Sequence, residues 1–190
     1  MKLLLIRHGE PNYEDVRNLG LVSYLGQLTE RGIEQAKTVA CDARLKDIEA
    51  IICSPYTRTF QTATIIWQIL SKEKDIEFIV EPALHEWLAD RNHEYTFDDD
   101  YGNRTYQEFL QHGCIRRRNT FFNWEGVDEM ANRVYPALKK YTRFKKVAVV
   151  THANVIRTLG YAEQSMKYCN IFEREFDKDS KFEGFIPWLG

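Results

Sequence analysis

The apolar run Leu3-Leu4-Leu5-Ile6 passes directly into Arg7-His8, and Val147-Ala148-Val149-Val150-Thr151 passes in the same way into His152. A guanidinium and two imidazoles therefore stand where buried strands leave a core. Burying such groups costs free energy unless each finds a partner. Arg58 follows a third apolar run, Ala50-Ile51-Ile52-Cys53, just beyond Ser54-Pro55. In an open α/β sheet the carboxyl ends of parallel strands share one edge, and ligands bind there. Arg7, His8, Arg58 and His152 can converge on that edge. Two guanidiniums and two imidazoles around one point, with helix N-termini adding donors, make a receptor for a tetrahedral oxyanion such as phosphate.

The elements that must position these groups are legible as alternating strand and helix signals. They predict an α/β fold with a mostly parallel central sheet and helices on its faces. Leu28-Thr29-Glu30-Arg31-Gly32-Ile33 reads as a helix start, with Thr29 as cap, Glu30 at the positive end and Leu28 and Ile33 at staple spacing. Ile33, Ala36, Ala40 and Ala43 extend that helix to about Leu45. Ser54 as cap and Pro55 as first helical residue predict a second helix whose first turn holds Arg58. Its apolar face is Phe60, Ala63, Ile66, Trp67 and Leu70. Ile76 to Val80 reads as a strand. From about His85 to Asp128 the pattern is irregular, aromatic and charged, as expected of a lid or specificity insertion over the strand ends. A helix over about Asp128–Tyr141, the strand to Thr151, a helix over about Asn154–Glu163 and a last strand around Tyr168–Phe176 complete the expectation. The tail from Asp177, with Phe182, Phe185, Ile186 and Trp188, is expected to pack back on the domain.

The chain of 190 residues suits one domain, 1–190, and its 44% hydrophobic and 28% charged content is that of a soluble globular protein. A net charge of −2 creates no field for nucleic acid or anionic lipid, so neither partner is expected. Only four strongly apolar residues precede Arg7, too few for a secretory core, and no run reaches spanning length, which predicts a cytoplasmic protein. Cys41, Cys53, Cys114 and Cys169 lack metal-ligand spacing and read as reduced thiols. The spacer of four residues between Cys53 and Arg58 is one short of the cysteine-phosphatase signature. Asp98-Asp99-Asp100 reads as a solvated loop rather than a metal site, and Arg116-Arg117-Arg118 as a surface charge cluster. Most of Trp87, Tyr95, Phe97, Tyr101, Tyr106, Phe109, Phe121, Phe122 and Trp124 should pack beneath the insertion. His85, His93 and His112 receive no role. No metal or cofactor is expected.

An ordered set of segments resembles the histidine phosphatase superfamily, the phosphoglycerate-mutase-like proteins. The set is Arg7-His8-Gly9-Glu10, Leu28-Thr29-Glu30-Arg31-Gly32 with Gln35-Ala36, Ser54 to Ala63, Leu84-His85-Glu86 and His152-Ala153-Asn154. The resemblance implies a three-layer α/β sandwich. It also implies that His8 is a nucleophile forming phosphohistidine, that Arg7, Arg58 and His152 hold the phosphoryl oxygens, and that Glu86 is the acid for the leaving group. The amide of Ala153 would also donate to phosphate. Three departures stand out: Pro11 replaces the usual hydroxyl residue, Ala153 replaces glycine, and Arg17-Asn18-Leu19-Gly20 matches the Arg-x-x-Gly loop with a longer spacer, leaving Arg17 a weak candidate. The implied activity is metal-independent hydrolysis of a small phosphomonoester. A phosphoglycerate-type mutase and a non-catalytic phosphate- or phosphoprotein-binding regulator are the alternatives.

Overall fold

Continuous apolar strands need cover on both faces, and they obtain it. A computed structural model describes residues 1–18, 23–92, 99–161 and 166–184. In chain order the main elements are β1 (Lys2–Arg7), β2 (Pro11–Asn12), α1 (Tyr13–Asn18), β3 (Gln27–Leu28), α2 (Glu30–Ala40), β4 (Ala50–Cys53), α3 (Thr57–Leu70), β5 (Glu77–Val80), α4 (Asp99–Gln111), α5 (Val127–Lys139), β6 (Lys146–Thr151), α6 (Ala153–Thr158) and β7 (Ile171–Glu175). The sheet runs β5-β4-β6-β1-β7. All pairs are parallel except β7, which lies antiparallel to β1.

Alternation along the strands divides the core into two layers. Leu3, Leu5, Ile52, Val147 and Val149 face Met130, Val134 and Leu138 of α5 and Val155 and Ile156 of α6. Leu4, Ile6, Ile51, Ala148 and Val150 face Ala36, Val39 and Ala40 of α2 and Ala63 and Ile66 of α3. This is the three-layer α/β sandwich. Ile6 pairs with Val150 and Cys53 with that same Val150, so β1, β4 and β6 end side by side.

Local expectations are met in places and corrected in others. Thr29 caps α2, accepting from the Gly32 amide at 2.9 Å. α2 stops at Ala40, however, and Ala43–Leu45 forms a separate 3-10 turn capped by Asp42. α3 begins at Thr57 after Tyr56, not at Pro55, so Ser54 is released from capping. α6 is shorter than expected. The 85–128 stretch contains a regular helix, α4, whose first turn takes up Asp99 and Asp100. A small aromatic core of Phe109, Cys114, Trp124 and Val127 lies beneath that stretch, with Trp87, Tyr106 and Phe122 packed against it. Phe182 packs against the main core. Leu19, Gly20, His93, Tyr95, Phe97, Asp98, Phe185, Ile186 and Trp188 lie outside the described residues.

Candidate active site

The three strand ends bring His8, Arg58 and His152 into direct contact. His8 follows β1, with its amide tied to the Thr151 carbonyl at 3.1 Å. His152 follows β6 and is the residue before α6. Arg58 is the second residue of α3. All three are buried. Arg58 donates from Nε to His8 Nε2 at 3.2 Å. Its terminal Nη2 meets His152 Nδ1 at 3.3 Å, and Nη1 donates to the Ser23 carbonyl at 2.9 Å. The two imidazole centroids are 5.3 Å apart.

These contacts fix the tautomers. His8 Nδ1 lies 2.7 Å from the Gly9 carbonyl oxygen, which can only accept, so Nδ1 carries the proton and Nε2 presents the lone pair. His152 Nδ1 faces an arginine donor and therefore accepts, and its Nε2 lies 2.8 Å from Ser54 Oγ, to which it donates. Burial first, then Arg58 and Arg7, hold His8 well below the ordinary imidazole range, against the Gly9 hydrogen bond. Burial, Arg58 and His8 do the same to His152. Both rings are neutral near pH 7.

Arg7 ends β1 with its guanidinium 4.1 Å from the Tyr168 ring centroid. One terminal nitrogen donates to the Met166 carbonyl, and its Nε is buried without a partner. Such an orphan donor on a cation whose charge reaches His8 suits an anionic acceptor. Neither α3 nor α6 has a side-chain cap, which leaves their first amides free to donate. Among the described residues no group of His, Cys, Asp and Glu could hold a metal ion.

Glu86 is half-buried after the short turn Pro82–Leu84. Its Oε1 accepts from the Trp87 amide at 2.8 Å. Burial raises its carboxyl above the usual range, while that amide and the charges of Arg58, Arg7 and Arg157 pull the other way. The nearby Glu81 is engaged elsewhere, with its Oε2 accepting from Tyr141 at 2.7 Å and from Lys140 at 3.3 Å. Arg17 is exposed in the last turn of α1. Arg116 pairs with Glu129 at 3.1 Å, while Arg117 and Arg118 are exposed, a surface cluster. Cys53, Cys114 and Cys169 are buried free thiols, and Cys41 is an exposed one.

Several participants receive no individual role from the sequence. Thr62 Oγ1 accepts from the Gly9 amide at 3.0 Å and steadies the turn after His8. Tyr56 lies against both His152 and the Arg58 guanidinium, at 5.1 and 5.0 Å. Arg157 is a buried cation whose Nε has no partner and whose Nη1 reaches Asn154 Oδ1 at 3.2 Å. A helical Arg-after-His spacing is the only hint for Arg157, and the Ser54 to Ala63 match marks the segment of Tyr56 and Thr62 without singling either out.

Residues 3–178 match the family model described as histidine phosphatase superfamily, branch 1. The chain belongs to the histidine phosphatase superfamily. It is 28% identical over 205 residues to a probable phosphoglycerate mutase of Enterobacter sp. (strain 638), covering 100% of this chain and 88% of that one. It is 26% identical over 168 residues to an adenosylcobalamin/alpha-ribazole phosphatase of Salmonella typhimurium, covering 84% and 77% respectively. The fold is shared with Bacillus stearothermophilus YhfR, at a TM-score of 0.70 and 20% identity over 100% of this chain and 99% of that one.

Proposed function

We propose that this member of the superfamily is a phosphatase that hydrolyses a small phosphomonoester through phosphohistidine on His8. The observation that carries the reading is Arg58 spanning His8 Nε2 and His152 Nδ1, which puts a fork of positive charge beside the unprotonated nitrogen of His8. In the reaction, His8 Nε2 attacks phosphorus in line as the bond to the ester oxygen breaks. Arg7 and Arg58 hold two equatorial oxygens, His152 turns its Nε2 proton from Ser54 to the third, the amide of Ala153 adds a donor, and Glu86 supplies the proton to the departing alcohol. Water then attacks the phosphohistidine, Glu86 takes its proton, and phosphate leaves with His8 restored. Such a reaction needs mainly positioning and charge neutralisation, which protein cations provide.

The reading treats 1–190 as one domain in which the 85–128 stretch closes over the strand ends. Its support is that Tyr106 of α4 shares the electrostatic surroundings of Glu86 and Arg157. The likeness to a probable phosphoglycerate mutase over the whole chain favours isomerisation as the second reading. Two measurements test the pair. Incubation with 4-nitrophenyl phosphate and with phosphoglycerates should release inorganic phosphate from both classes, whereas stoichiometric isomerisation without release would select the mutase. Rapid quenching should trap an acid-labile phosphoenzyme that is lost in His8→Ala, and its persistence there would reject His8 as nucleophile.

A further inference from the structure

Glu86 rides on a segment without regular secondary structure, with few hydrogen bonds of its own. Residues 85–88 belong to neither helix nor strand. A proton donor has to meet its oxygen within hydrogen-bond reach, and small misplacements are costly. Thr151 Oγ1 donates to the Leu84 carbonyl at 2.9 Å and His85 Nδ1 to the Glu86 carbonyl at 2.7 Å, and the rest of the hold comes from one largely buried ion pair. Arg133 of α5 donates from Nε to Glu125 Oε1 at 2.6 Å and from Nη2 to Oε2 at 2.9 Å. The same guanidinium donates from Nη1 to the Ala83 carbonyl at 2.5 Å and from Nη2 to the Glu86 carbonyl at 3.3 Å.

Glu125 grips the other side. Its amide donates to the Leu88 carbonyl at 2.9 Å, and its Oε2 accepts from the Leu88 amide at 3.4 Å. Its own carbonyl accepts from Trp87 Nε1 at 2.7 Å. The backbone on both sides of Glu86 is thus tied to the pair, while the Glu86 carboxylate takes no part in it. Stability alone gives little reason to keep such an arrangement, because a buried ion pair does no better than a well-packed apolar pair. Its geometry gives a better one. The planar fork makes four hydrogen bonds in fixed directions to a carboxylate and two carbonyls, one more than the three donors of a lysine ammonium supply.

We propose that the Arg133–Glu125 pair is the positioning device for Glu86, setting where its carboxyl group meets the leaving oxygen without touching substrate. The proposal rests on the reading of Glu86 as proton donor. Arg133 also acts on His152 at longer range, through its charge. That influence would reach every substrate alike, so it is separable from positioning.

The test compares glycerol phosphate, whose alcohol needs a proton, with 4-nitrophenyl phosphate, whose phenolate does not. Arg133→Met should lose about 10-fold to 100-fold in kcat/KM on the alkyl ester and less than about 3-fold on the aryl ester. Arg133→Lys should resemble Arg133→Met despite its charge. In the double variant E86Q/R133M the alkyl-ester loss should be no larger than in E86Q alone, because both changes act on one proton transfer. Equal losses on the two esters, or additive losses in the double variant, would overturn the proposal. If E86Q itself treats the two esters alike, the proton-donor reading falls and this one falls with it. If E86Q separates the esters and the Arg133 variants do not, only the clamp falls. Should Arg133→Met fail to fold, Arg133→Lys and Glu125→Gln provide the same comparison, with thermal melts as control.

Discussion

His8 and Glu86 are pushed by their surroundings in opposite directions, and both directions suit acid-base chemistry near neutrality. Burial, Arg58 and Arg7 keep His8 unprotonated below its ordinary value of 6.5. Burial raises the Glu86 carboxyl above its ordinary 4.5. The two shifts favour a nucleophile without its proton and an acid that keeps one, a division between two titratable groups typical of acid-base pairs. For glycerol phosphate, kcat/KM should rise as His8 deprotonates and fall as Glu86 deprotonates, giving a bell whose alkaline limb belongs to Glu86. That limb should flatten in Glu86→Gln and be shallow in the wild type with 4-nitrophenyl phosphate. A full alkaline limb surviving in Glu86→Gln would assign it to another group.

At the scale of elements, the turn after His8 is held by an unusually close approach of two main chains. A Cβ on Gly32 would stand 2.3 Å from the Glu10 carbonyl oxygen, and one on Gly9 would stand 2.5 Å from that of Gly32. The first turn of α2 therefore sits against the loop leaving β1, and neither backbone can yield as a side chain would. Gly32→Ala should cost about 1–3 kcal/mol in a urea melt and lower kcat by displacing His8; a variant as stable and active as wild type would show that the two chains can slide apart. Local signals foretold much of this arrangement. Thr29 and the Leu28 to Ile33 pattern announced α2, and apolar runs ending in polar residues announced β1, β4 and β6. What stayed hidden depends on contacts distant in sequence. Ser54 looked like a helix cap, yet its hydroxyl meets His152, a partner 98 residues away. The helix α4 and the Glu125–Arg133 pair gave no local signal, because the aromatic core and the carbonyls they serve come together only in the fold.

The whole molecule gathers buried titratable groups at one sheet edge, and its stability should register their protons. His8 and His152 stay neutral when folded, but in the unfolded chain each binds a proton near pH 6.5. Below that pH the unfolded state holds more protons than the native state, so acidification destabilises, by at most about 1.4 kcal/mol per pH unit for each histidine. Glu86 acts with the opposite sign. Its raised carboxyl keeps a proton that the unfolded chain has released above 4.5, so its contribution is largest at low pH and disappears as pH rises through the folded value. Carboxylates held low, such as Asp42 at about 2 beside Arg44, withdraw their support only in stronger acid. Guanidinium unfolding between about pH 7.5 and about pH 5.5 should therefore show falling stability in the wild type. The slope should be shallower in His8→Ala and in His152→Ala, each of which deletes one proton acceptor from the unfolded chain. It should be steeper in Glu86→Gln, which deletes the opposing carboxyl. Unchanged slopes in both histidine variants would mean that the rings are protonated in the native state, and that Arg58 does not hold them neutral as its two hydrogen bonds require.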